Sequence, residues 1–206
     1  MDSNWASEQL QTIRTIMERS AVYRRALAPL MLSTGLIGLA AATLPQFVPI
    51  RTNRAFAIYW MAVGVIALLA TLLLVRRQAW REDEQFWSPP TRRVTEALLA
   101  PFIGGFAVAV FLILYGQKFE SLAWVAASIW VILYGCALNA AGFFTLRGFG
   151  LFGRILVLLG CGLFLVTPAV PGDVPIAAHL AMGMFFGLGQ MAYGIYLYFT
   201  ERKRRA

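Results

Sequence analysis

Six stretches of this chain contain no Asp, Glu, Lys or Arg: 26–50, 55–75, 97–117, 121–146, 155–172 and 174–200, with lengths of 25, 21, 21, 26, 18 and 27 residues. A helix needs about 20 apolar residues to cross the hydrocarbon of a bilayer. Within lipid the backbone must satisfy its own hydrogen bonds, so each run reads as a helix. The expected fold is all-α: a polytopic membrane protein, a compact bundle of six transmembrane helices. Charged residues make up 14% of the chain, against roughly 25% in an average soluble domain. Little sequence is left for a separate soluble domain. The expected organisation is a cytoplasmic amphipathic helix in 1–25, a six-helix transmembrane domain 26–200 and a basic cytoplasmic tail 201–206.

Orientation follows from the basic residues. With the N-terminus in the cytoplasm, fifteen of the eighteen Lys and Arg residues fall on the inner side, and only Arg51, Arg54 and Lys118 fall outside. That asymmetry predicts cytoplasmic termini. It also accounts for the net charge of +8 without nucleic acid as a partner. The first run is longer than a signal-peptide core of about 7–15 residues and follows a polar segment, so it reads as a retained span.

Two segments are predicted to lie at the inner surface. Residues 5–22 place Ala6, Leu10, Ile13 and Met17 on one stripe at helical spacing, with Glu8, Gln11 and Arg19 on the other side. This is an amphipathic interfacial helix. The loop 76–95 mixes Arg76, Arg77, Arg81, Arg92 and Arg93 with Trp80, Phe86 and Trp87 and reads as an interfacial anchor. The bilayer is the expected partner. A protein partner through either segment, or a second copy of the chain, is compatible with the same features. Arg147 and Arg154, flanking Gly148, Gly150 and Gly153, read as a short inner hairpin that sets topology.

Catalytic and transport sites inside membranes usually show ionisable side chains in the spans. Here His179 is the one such residue in the six runs, apart from the thiols of Cys136 and Cys161 and the tyrosines. One His cannot supply a bis-histidine haem and does not make a metal site. No His-Glu-x-x-His pair, Gly-x-Ser-x-Gly turn or phosphate-binding loop occurs in the sequence. The two cysteines form no Cys-x-x-Cys motif and read as small hydrophobes. An enzyme is therefore not expected, and neither is a cofactor.

The remaining polar positions concentrate on two faces. At about 100° per residue, His179, Gly183, Gly187, Gln190 and Gly194 of span six fall within roughly an 80° arc. Ser121, Ser128, Gly135, Asn139 and Gly142 of span four fall within roughly 60° by the same geometry. Both faces are expected to turn inward, with Asn139 and Gln190 bonded across helices and contact between the two faces favoured. Asn139, Gln190, Ser128 and His179 are the candidate intramembrane polar positions. Interhelical hydrogen bonding is one reading of them, and the lining of a ligand or solute site is the other. His179, near the outer end, is expected to be wet or bonded to a loop carbonyl.

Four segments carry a resemblance: Ile13-Arg14-Thr15-Ile16-Met17-Glu18-Arg19-Ser20, Phe86-Trp87-Ser88-Pro89-Pro90-Thr91-Arg92-Arg93, Leu133-Tyr134-Gly135-Cys136-Ala137-Leu138-Asn139-Ala140 and Gly187-Leu188-Gly189-Gln190-Met191-Ala192-Tyr193-Gly194. Together they resemble an uncharacterised family of bacterial multi-span membrane proteins. The resemblance implies a location in the bacterial inner membrane and implies no activity. A His often stands in that family where this chain has Gln190. Two functional expectations follow: a non-enzymatic membrane component acting through protein or lipid contacts, or a small-solute transporter or channel lined by the faces of spans four and six. No carboxylate lies in any span to carry a coupling ion.

Overall fold

The computed structural model describes residues 27–81, 89–118, 122–145, 147–166 and 174–203. All the regular elements among them are helical. The segment 5–22, expected as an interfacial helix, lies outside the described residues.

Helix α1 covers 27–43 and ends in a 3-10 turn, Leu44–Gln46. Then come α2 (Asn53–Arg81), α3 (Pro89–Tyr115), α4 (Leu122–Gly142) and α5 (Arg147–Leu165). The sixth span is composite: α6 (Val174–Met182), a π-helical segment Gly183–Gly189, and α7 (Gln190–Lys203). Six of these helical stretches are long and apolar enough to cross a membrane. The described residues are thus all-α, with the six long apolar helices of a multi-pass membrane protein.

Helix bounds depart from the uncharged runs in two places. The segment 76–95 is expected as a loop, yet α2 continues to Arg81 and α3 already begins at Pro89. Arg, Gln and Ala are good helix formers, and Arg76 lies over the Trp80 ring 4.7 Å from its centroid. Pro89 and Pro90 sit in the first turn of α3, where a missing N–H costs no helical bond. Pro101 consequently falls inside α3. The second departure is Arg147–Arg154, expected as a hairpin, which forms the first two turns of α5. The described part of the turn is Phe143, Phe144 and Thr145. The glycines at 148, 150 and 153 are helix-packing residues, and the exposed Arg154 can extend its charged head toward the headgroups.

The described core has two parts. One gathers Ala41, Ala42, Phe56, Trp60, Trp124, Ala127, Ala178 and Met182 near the 3-10 turn. The other gathers Leu27, Met31, Val131, Leu138, Phe149, Leu156 and Leu197 toward the opposite, Arg-rich end. α4 lies at the centre, packing along α5 and α3 and against α6. By contrast, only 6% of the apolar window of α2 and 11% of that of α3 is buried within the chain. Val65, Ile66, Leu68, Leu69, Leu72 and Leu73 of α2 are all exposed, as expected of side chains that face lipid.

Candidate functional site

The polar groups of the spans are held at three places. The first is the end carrying the 3-10 turn. His179, in the second turn of α6, is 2% exposed. Trp60 Nε1 of α2 donates to its Nδ1 at 3.0 Å, and its Nε2 lies 3.2 Å from the Ile50 carbonyl. An indole N–H can only donate. Nδ1 must therefore accept, which puts the ring proton on Nε2 and directs it at Ile50. Phe56 approaches the imidazole edge-on at 4.9 Å, and Tyr59 stands at 5.7 Å. Tyr59 donates its hydroxyl to Ala41 O at 2.5 Å. Beside His179 lies a recess of about 10 Å³ lined by Ala42, Pro45, Gln46, Ile176 and Leu180, room for about one water. His179 thus meets a loop carbonyl, as one of its two expected alternatives has it, and is buried instead of wet. Tyr59 and Trp60 of α2 turn inward to enclose it.

The second place is the crossing of α1 with the sixth span. Gln190 is 4% exposed, and its side-chain amide meets the Thr34 hydroxyl of α1. Thr34 also lies 2.8 Å from Leu30 O one turn back. The single hydroxyl proton can serve Leu30 while the amide turns its NH2 to the Thr34 oxygen, which satisfies both contacts. Glycines bring the helices together around this pair. A Cβ on Gly35 would stand 2.6 Å from Met191 Cγ and 2.9 Å from Gly187 O, and one on Gly187 would stand 2.9 Å from Leu39 N. A Cβ on Gly38 would collide with the Phe186 carbonyl of the π-helical segment, so this crossing admits only a residue without a side chain there.

The third place is the α4–α5 crossing. A Cβ on Gly135 would stand 2.6 Å from Gly153 O, and one on Gly153 2.5 Å from Asn139 N. Ser128 is fully buried and donates to Trp124 O of its own helix at 3.0 Å. Asn139 is half-buried beside Gly150, three residues from the end of α4. It is not paired across helices with a polar side chain among the described residues, contrary to expectation. One turn from the helix end, water and headgroups can solvate its amide.

The two small faces are therefore turned to neighbouring helices but not to each other. The face of span four meets α5, and that of span six meets α1. Asn139 and Gln190 are not brought together, and Ser121 lies outside the described residues. Backbone complementarity explains the outcome. Glycines at 150, 153 and 160 on α5, and at 35 and 38 on α1, let each glycine-bearing face dock on another, closer than any face with larger side chains would allow.

Sequence reasoning passed over several anchors. Asn53 donates to Gly116 O at 2.8 Å and accepts from Ala123 N at 2.9 Å, tying the start of α2 to the α3–α4 connection. Trp124 and Trp130 donate to the carbonyls of Leu163 and Gly105, both at 2.9 Å. An indole that bridges helices looks the same in sequence as one at an interface. Cys136 and Cys161 are exposed on the perimeter. No group of three His, Cys, Asp or Glu side chains able to hold a metal occurs among the described residues.

Among the described residues, one buried polar side-chain atom is unaccommodated. The Tyr193 hydroxyl is buried without a hydrogen-bond partner, above Gly148 in the first turn of α5, where an added Cβ would lie 3.2 Å from it. Its ring stacks on Phe152 at 4.6 Å. Tyr193→Phe keeps that stacking and removes a desolvated hydroxyl. Its expected effect is unchanged stability or a gain of about 1 kcal/mol, read from denaturation in mild detergent. A loss of stability would show that the hydroxyl has a partner in the membrane.

No protein-family model matches the chain, and no curated protein and no solved structure matches it either.

Proposed function

We propose that the chain is a non-enzymatic integral protein of the bacterial inner membrane that acts through protein or lipid contacts, with both termini in the cytoplasm. The observation that carries this reading is the filling of the two small faces. The face of span four holds the backbone of α5, and the face of span six holds that of α1. A solute path along either would need the space those backbones occupy. The orientation rests on the charge asymmetry, since Arg76, Arg77, Arg81, Arg92, Arg93 and Arg154 gather at one end and suit an anionic inner leaflet.

Thiol accessibility tests the reading. Ser128→Cys and Gln190→Cys are placed singly in a chain whose Cys136 and Cys161 are replaced by Ala, in oriented vesicles. Neither position is expected to react with a membrane-impermeant maleimide from either side. Labelling of both would establish an aqueous path and favour the transporter reading.

A further inference from the structure

We infer that His179 is a pH-sensitive latch at the end of the bundle that carries the 3-10 turn. The imidazole joins three elements at once. It belongs to α6, accepts from Trp60 of α2, and faces the Ile50 carbonyl in the connection between α1 and α2. Holding both partners requires a neutral ring. A second proton on Nδ1 would set one N–H against the Trp60 N–H, two donors with no acceptor between them. Protonation therefore breaks the tie to α2 while leaving the one to Ile50, and the junction opens along the recess between Gln46, Ile176 and Leu180.

Among the described residues, α1, α4 and α6 contribute no charged side chain beyond His179 itself. From α2 and its approach come Tyr59, bonded to Ala41 O, and the exposed Arg51 and Arg54. Past the end of α3, the exposed Lys118 lies over the Tyr115 ring, 5.7 Å from its centroid. Asp173, the nearest acidic residue in the sequence, lies outside the described residues. The chain has one His, so an imidazole signal in the spectrum belongs to this residue.

The test uses full-length protein in nanodiscs carrying 15N-histidine and 15N-indole tryptophan. At neutral pH the single imidazole is expected as the Nε2–H tautomer, with the Trp60 indole N–H, assigned through Trp60→Phe, in its hydrogen-bonded position. On acidification the imidazole signal and the Trp60 N–H signal move together. Gln46→Cys, in a chain without the native cysteines, then labels about five- to tenfold faster, the equivalent of losing one such bond. In Trp60→Phe and in His179→Gln the labelling rate no longer depends on pH over the same acidification, while in Asp173→Asn the dependence persists. An Nδ1–H tautomer at neutral pH overturns the proposal. So does an imidazole that stays neutral down to about pH 5, the lower edge of its ordinary range, a His179 titration that leaves the Trp60 N–H and the labelling of the Gln46→Cys thiol unchanged, or a dependence that survives Trp60→Phe or vanishes in Asp173→Asn.

Discussion

Leucine at position 187 is expected to cost about 3 kcal/mol or to prevent the sixth span from docking at all. Even the first carbon of a side chain at Gly187 would stand 2.9 Å from Leu39 N and 3.0 Å from Leu39 Cα. Those are backbone atoms of a helix and cannot move aside singly, so the whole of α1 must retreat, and overpacking of this kind costs about 1–3 kcal/mol or more. The retreat would also separate Thr34 from Gln190. Gln190→Leu removes only the second of these contacts and leaves Thr34 bonded to Leu30. Hydrogen bonds between transmembrane helices average about 0.6 kcal/mol, so the loss should stay below about 1 kcal/mol. Gly64→Leu supplies the control. It sits in a span with nothing within 4 Å of the added carbon, and should change stability by less than about 0.5 kcal/mol. Unfolding from mild detergent into SDS ranks the three. Equal effects at 64 and 187 would mean that the α1 crossing is not closely packed.

The second large effect is expected at His179. Replacement by Leu keeps an apolar body of similar bulk but strips the buried Trp60 N–H of its acceptor and the Ile50 carbonyl of its donor. An unsatisfied buried polar group costs about 1–3 kcal/mol, so His179→Leu should destabilise by about 2–4 kcal/mol. Trp60→Phe alone strands the Nδ1 acceptor. With both replaced, neither side of that bond remains to be stranded, and the double variant should be less destabilised than the sum of the singles by about 1–2 kcal/mol. Additive effects would show that the two rings pack without bonding.

Spacing of charge made the six spans legible, because a single Arg or Glu in the hydrocarbon is expensive enough to be kept out. Periodicity showed that span four and span six each have a small face. It could not say which helix each face meets. That choice rests on matching glycines elsewhere: Gly35 and Gly38 lie in a run whose Leu and Ile residues hide them, and Gly150 and Gly153 lie between two arginines that mimic a loop. Thr34 was invisible for a related reason. A threonine in a span usually bonds its own preceding turn, and Thr34 does so while also meeting Gln190. The π-helical segment has no sequence signature beyond its three glycines. Trp60 could not be placed from sequence, because a tryptophan near the end of a span is equally at home facing headgroups or a buried acceptor.

The sparse burial of α2 has a consequence for how this protein experiences its bilayer. The uncharged part of α2, 55–75, spans about 31 Å at 1.5 Å per residue, close to the thickness of a typical hydrocarbon layer. Its first turns are fixed by Phe56, Ala57 and Trp60, but in the half that follows no residue is fully buried. A helix held so lightly beyond its first turns can adjust its tilt to the bilayer, more upright in a thick membrane and more inclined in a thin one. Pivoting on Trp60, it would carry Arg76, Arg77 and Trp80 sideways across the opposite surface as acyl-chain length changes, which would make the position of that cluster a readout of membrane thickness.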